Sequence, residues 1–167
     1  DEDGFRELYG SKTKIVVVQN AVDGIEFKSN DQRINLKKKS EYKDKIVAIF
    51  IGSRHKPNIE AVEVIIELAK YHDHICFLIL GSVCESFTNR QDVHNIKFLG
   101  FVGADEKNRL LSLADFAINP MLSGSGTNLK MIEGMAAGLP VISTDIGARG
   151  LGVVDGLNVV ISEVSEL

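Results

Sequence analysis

The stretch "SGSGTNLKMIEGMAAGLPVIST", Ser123 to Thr144, sets flexible glycines, an ammonium and a carboxylate ahead of an apolar run. Gly124 and Gly126 permit positive φ and let a ligand approach the backbone. Ser125 or Thr127 can cap the helix that follows, and N–H groups left uncapped at a helix start attract anions. At about 100° per residue, Gly126, Lys130 and Glu133 fall on one stripe of such a helix. An ammonium suits a phosphate. A carboxylate suits a vicinal diol, because it accepts two hydroxyl hydrogen bonds. Together they describe the diphosphate and ribose of a nucleotide. The same residues also read as a capped helix with a surface Lys–Glu pair three residues apart, worth a few tenths of a kcal/mol. The stretch is neither a Walker loop nor the G-x-G-x-x-G dinucleotide fingerprint.

A second stretch, "FIGSRHKPN" (Phe50 to Asn58), reads as a strand, a glycine loop and a helix start. Arg54 and Lys56 there, with Lys130, can neutralise a diphosphate without a metal ion, or point to solvent. His55 is either a loop residue or a hydrogen-bond donor to a ligand. His72, Asp73 and His74 lie close in sequence, but at a helix end on the approach to a strand. No metal site is expected from them.

These residues need a scaffold, and the chain reads as strands alternating with helices. The apolar runs are Lys14 to Val18, Ile46 to Ile51, Ile75 to Leu80, Ile96 to Leu99, Phe116 to Asn119, Pro140 to Ser143 and Asn158 to Ile161. They are apolar throughout, as strands are when helices cover both sheet faces. "PNIEAVEVIIELAKY" has Ile59, Val62, Ile66 and Ala69 at helical spacing. "DEKNRLLSLAD" opens on an acidic turn and turns Leu110, Leu111 and Leu113 inward. "NLKMIEGMAAG" ends at Gly138, with Pro140 beyond it. The rhythm predicts an α/β fold, a Rossmann-like parallel sheet with helices on both faces. Ligands in such folds sit beyond the carboxyl ends of the strands. That ranks the loops at Gly52 to Asn58, Gly81 to Ser86, Gly100 to Gly103, Pro120 to Thr127 and Thr144 to Gly150. The polar segment Gly24 to Lys45 has no apolar period and reads as a solvated linker.

Composition narrows the partners. The 167 residues are 44% hydrophobic and 25% charged, ordinary for a globular domain, with a net charge of −4. That balance disfavours nucleic acid and anionic membrane as main partners. Of the two cysteines, Cys76 reads as core and Cys84 as a loop residue. Neither a disulfide framework nor a zinc site follows from them, and a reducing, cytoplasmic compartment is expected. No apolar run approaches the roughly 20 residues of a membrane span. The first residues read as the tail of a helix, and the last as the approach to another. The chain is therefore expected to be part of a longer protein.

"GSGTNLKMIEGMAAGLPVISTDIGARGL" closely resembles the signature of nucleotide-sugar-dependent, retaining glycosyltransferases of the GT-B fold, glycosyl transferases group 1. "FIGSRHKPNIEAVEVI" is similar to the opening of their C-terminal domain. "NIKFLGFVGADEKNRLLSLADFAINPM" is similar to the block before the signature, and "KIVVVQNAVD" to the interdomain element. The resemblance implies a donor-binding domain at residues 46–167, preceded at 1–45 by the end of an N-terminal domain and a linker. It implies Lys130, Glu133 and Arg54 as the catalytic set, with Glu133 holding the ribose as the second glutamate of an E-x7-E motif. Donor contacts are implied at Gly52, Ser53, Lys56, Gly124, Ser125, Gly126, Thr127, Asn128 and Leu129. Phe101 and Val102 match the base-contacting loop. The first glutamate of that motif is replaced by Ser125. The implied reaction moves a sugar, of hexosyl type, from a nucleotide-diphosphate sugar with retention and without a metal or other cofactor. The acceptor would be a glycan, a lipid-linked molecule or a small molecule, as in polysaccharide biosynthesis. It would be met through the N-terminal domain at the cytoplasmic face of a membrane. This chain alone would turn over nothing. A degenerate non-catalytic domain and a GT-B nucleotide-sugar epimerase are the alternatives.

Overall fold

Both faces of every central strand are buried, which is why the strands carry no polar alternation. A computed structural model describes residues 2–10, 12, 14–89 and 93–166. Its elements in chain order are α1 (Glu2–Tyr9), α2 (Asn30–Lys38), β1 (Ile46–Ile51), α3 (Lys56–Ala69), β2 (Ile75–Leu80), β3 (Ile96–Gly100), α4 (Ala104–Leu113), β4 (Phe116–Asn119), α5 (Leu129–Ala136), β5 (Val141–Ser143), α6 (Asp145–Ala148) and β6 (Val160–Ile161). Short 3₁₀ helices occupy Ser82–Phe87 and Val164–Glu166.

The strands form one parallel sheet in the order β3-β2-β1-β4-β5-β6. Val47 and Ile49 of β1 pack on one face with Leu78, with Leu110, Leu111 and Leu113 of α4, and with Met131 of α5. Ala48 and Phe50 pack on the other with Phe77, Ile79 and the Ala61, Val62, Ile65, Ile66 and Ala69 stripe of α3. Strand order reverses between β1 and β4, so their carboxyl ends diverge into a crevice suited to a ligand.

Three sequence expectations are corrected. Lys14 to Val18 forms no strand; Val16, Val17 and Val18 are exposed and pair with no strand among the described residues. An apolar, β-branched run becomes a strand only where a sheet edge accepts its backbone.

Gly24 to Lys45 is not a structureless linker either. Ser29 and Gln32 close a reciprocal capping box at the start of α2. Arg33 donates to the carbonyls of Ala137 and Gly138 at 3.3 Å and of Ala114 at 2.5 Å. One guanidinium thus satisfies the carbonyl ends of both α4 and α5. Lys37 pairs with Asp115, whose carboxylate also accepts from the Val47 N–H at 2.7 Å. The segment looked solvated because polar groups, not an apolar stripe, hold it to the domain. Cys84 is likewise no loop residue: it is buried in the 3₁₀ helix, and the Gly100 N–H donates to its sulfur at 3.3 Å.

Candidate functional site

Beyond the carboxyl ends of β1 and β4 lies a cleft of about 320 Å³. Gly52, Ser53, His55, Pro57 and Asn58 line one side, from the end of β1 to the first turn of α3. Ser123, Gly124, Ser125, Thr127, Asn128 and Leu129 line the other, leading into α5. Gly124 and Gly126 have φ of 125° and 75°, which lets this loop fold back over the cleft.

Neither helix that opens on the cleft is capped by a side chain. His55 at the start of α3 and Asn128 at the start of α5 make no capping hydrogen bond. The expectation that Ser125 or Thr127 caps the second helix is therefore corrected. The helix begins later, at Leu129, and the Asn128 amide instead donates to the Gly147 carbonyl at 2.9 Å. Two uncapped helix starts at one cavity make it electropositive before any side chain is counted.

Lys130 supplies the floor. Its ammonium donates to Asn58 Oδ1 at 2.5 Å, meets Met121 Sδ at 3.4 Å and stands 4.7 Å from the centre of the Phe50 ring. The Asn58 amide donates in turn to the Ser53 carbonyl at 2.9 Å, tying the lysine to the β1 loop. No carboxylate pairs with Lys130 among the described residues. Burial alone lowers its pKa from the ordinary 10.5 to about 8. The site therefore holds a desolvated cation with a neutral oxygen, a sulfur and a ring around it.

Glu133, one turn further along α5, also lines the cleft. Its carboxylate receives Lys107 of α4 at 2.8 Å, and both side chains are about three-quarters buried. Lys107 fixes one oxygen of the carboxylate, leaving lone pairs for other donors.

The structure brings ten of the sequence-derived residues to the cleft: Gly52, Ser53, His55, Gly124, Ser125, Thr127, Asn128, Leu129, Lys130 and Glu133. Gly126, Arg54, Lys56, Phe101 and Val102 are not among its lining residues. Arg54 turns toward Glu85 at 3.5 Å while its backbone N–H is held by Ser82. Lys56 lies 3.7 Å from Glu60 and is 86% exposed. Phe101 is 89% exposed, and Val102 packs against the core. Residues that sequence reasoning missed are Asn58, Lys107 and Arg149. Arg149 lines the cleft and donates to the Gly124 carbonyl at 2.8 Å. It stands in a loop already ranked by its place after a strand, which was the available signal. Lys107 had none, since it reaches Glu133 from another helix.

A sequence profile of the family described as glycosyl transferases group 1 matches residues 45–166. An uncharacterized glycosyltransferase of Methanocaldococcus jannaschii is 31% identical over 108 residues, covering 62% of this chain and 30% of that protein. In structure, the chain superposes on HepE of Anabaena in complex with UDP-glucose with a TM-score of 0.71 at 19% identity, covering 99% of this chain and 49% of that one. The C-terminal domain of the group 1 glycosyl transferase LpcC from Francisella tularensis gives a TM-score of 0.58 at 18% identity, over 87% of this chain and 83% of that one. The chain thus spans less than a third of the first relative and about half of HepE.

Proposed function

The chain belongs to the glycosyl transferases group 1 family, with the fold of the C-terminal half of a GT-B enzyme, and on that premise we propose that it binds a nucleotide-diphosphate sugar as donor. The observation that carries this reading is the partly buried Lys130 ammonium, without a carboxylate partner among the described residues, where two uncapped helix starts meet. A group so placed calls for an anion. HepE, whose fold it shares, binds UDP-glucose. In this reading residues 1–45 close and link a first domain, and residues 46–167 form the donor half.

The chemistry follows from charge. Breaking the bond between sugar and diphosphate leaves negative charge on the departing phosphate oxygen. Lys130 and the helix starts of α3 and α5 offset that charge in place of a metal ion, in a cleft where fixed dipoles act more strongly than in water. Glu133, held by Lys107, accepts hydrogen bonds from the ribose diol. The hexosyl group passes with retention to a glycan, lipid-linked or small acceptor brought by the other domain, at the cytoplasmic face of a membrane. No helix among the described residues is long and apolar enough to cross one. Alone, the chain binds nucleotide weakly and turns over nothing.

Titration of the chain with UDP, GDP and ADP, followed by NMR, tests the reading. One of the three is expected to shift the amides of Gly52 to Asn58 and Thr127 to Glu133, and Lys130→Ala to abolish the effect. Glu133→Gln is expected to weaken the ribonucleotide but not its 2′,3′-dideoxy analogue. Silence from all three nucleotides at millimolar concentration sinks the donor-site reading. In the longer enzyme, turnover is expected to survive EDTA; its loss, restored by a divalent ion, removes the metal-independent chemistry.

A further inference from the structure

Resting on the donor-site reading above, we infer that Arg149 is the second cation facing the donor's diphosphate. A diphosphate ester carries a negative charge on each phosphate, and Lys130 matches only one. Among the residues lining the cleft, the other charged side chains are Glu133 and Arg149, His55 aside. Glu133 is already matched by Lys107. Arg54 and Lys56, the basic residues nearest in sequence to the β1 loop, face Glu85 and Glu60 instead. That leaves Arg149, which has no carboxylate partner among the described residues.

The backbone under Arg149 is fixed to the same frame as Lys130. Thr144 Oγ1 accepts from the Gly147 N–H at 3.2 Å and donates to the Met121 carbonyl at 2.6 Å. Asn128, the residue before α5, donates to the Gly147 carbonyl at 2.9 Å. Gly147 has no room for a side chain: an added Cβ would lie 2.3 Å from Ser143 Oγ and 2.7 Å from the Asn119 carbonyl. The turn before Arg149 is therefore clamped between the loop after β4 and the start of α5. From there the guanidinium reaches over the glycine loop to the Gly124 carbonyl, 2.8 Å away. One N–H is spent on that carbonyl, and the remaining donors of the planar fork suit phosphate oxygens. Lys130 below and Arg149 at the rim then hold the diphosphate from two sides. The exposed position makes Arg149 the weaker of the two, because solvent screens its charge.

The test compares variants of the chain by calorimetry against UDP, GDP and ADP, each beside its nucleoside. Arg149→Ala and Arg149→Gln are expected to weaken the binding diphosphate about tenfold and to leave the nucleoside unchanged. Arg109→Ala, on the surface of α4 and paired with Glu106, is the charge control and is expected to bind as wild type. Thermal melts check that the Arg149 variants fold, as an exposed residue allows. If Arg149→Gln binds the diphosphate like wild type, the residue serves only as a tether for the Gly124 loop, and the inference is overturned. It is equally overturned if Arg54→Ala costs more than Arg149→Ala. When Lys130→Ala loses binding and the Arg149 variants do not, only this inference falls. Where the wild-type chain binds no diphosphate, the donor-site reading falls with it.

Discussion

Lys130→Met removes a partly buried ammonium and leaves an unbranched apolar side chain of similar length in its place. Burial brings Lys130 from 10.5 to about 8, so keeping it charged in the folded chain costs about 3 kcal/mol relative to the unfolded chain. The variant escapes that cost but leaves Asn58 Oδ1 without its donor at 2.5 Å, a loss of about 1–2 kcal/mol. At pH 7 the variant is therefore expected to be about 1–2 kcal/mol more stable than wild type.

The pH dependence carries the proof. Between about pH 8 and 10.5 the unfolded chain still holds the Lys130 proton and the folded chain has released it. More protons on the unfolded side mean that this residue's contribution to stability rises with pH through that window. Below pH 8 both states are protonated, and the cost of burying the charge is felt in full. Burial pushes the Cys76 and Cys84 thiols and the Tyr42 hydroxyl up, and those groups act in the opposite sense as pH rises. The quantity to measure is thus the difference between the two proteins, from urea unfolding at pH 7 to 10 with a common m value. The advantage of Lys130→Met should shrink by up to about 1.4 kcal/mol per pH unit above pH 8 and reverse by pH 10. A difference that stays flat across this range refutes the account of Lys130 as a desolvated, unmatched cation.

A bound diphosphate holds the proton on Lys130, so nucleotide affinity should fall with pH above about 8, with proton uptake measurable by calorimetry in buffers of different ionisation enthalpy. Gly147→Ala forces a methyl to 2.3 Å from Ser143 Oγ, and a destabilisation of about 3 kcal/mol is expected in denaturant unfolding; wild-type stability would show that the turn relaxes freely. Arg33→Ala strands the carbonyls of Ala114 and Ala137 and should cost about 1–3 kcal/mol, lowering the melting temperature by several degrees. An unchanged melting temperature would mean that α2 is not part of the cooperative unit.

Read in one dimension, the sequence sufficed for whatever depends on local pattern. The six strand segments from Ile46 onward, the helices α3, α4 and α5 and the parallel architecture follow from runs and periods that neighbours in sequence create. So does the importance of Ser123 to Thr144, because glycines, lysine and glutamate lie together in one segment. Tertiary structure decided what comes from elsewhere in the chain. Asn58 meets Lys130 across 72 positions, and Lys107 meets Glu133 from a neighbouring helix. Arg54, adjacent to the cleft in sequence, turns away because Ser82 and Glu85 hold it, whereas Arg149 turns in because the Gly147 turn is clamped. Polar side chains make these decisions through directional hydrogen bonds to distant partners, and such partners leave no periodic trace in the sequence. Apolar residues only need a buried face, and that need is written into their spacing.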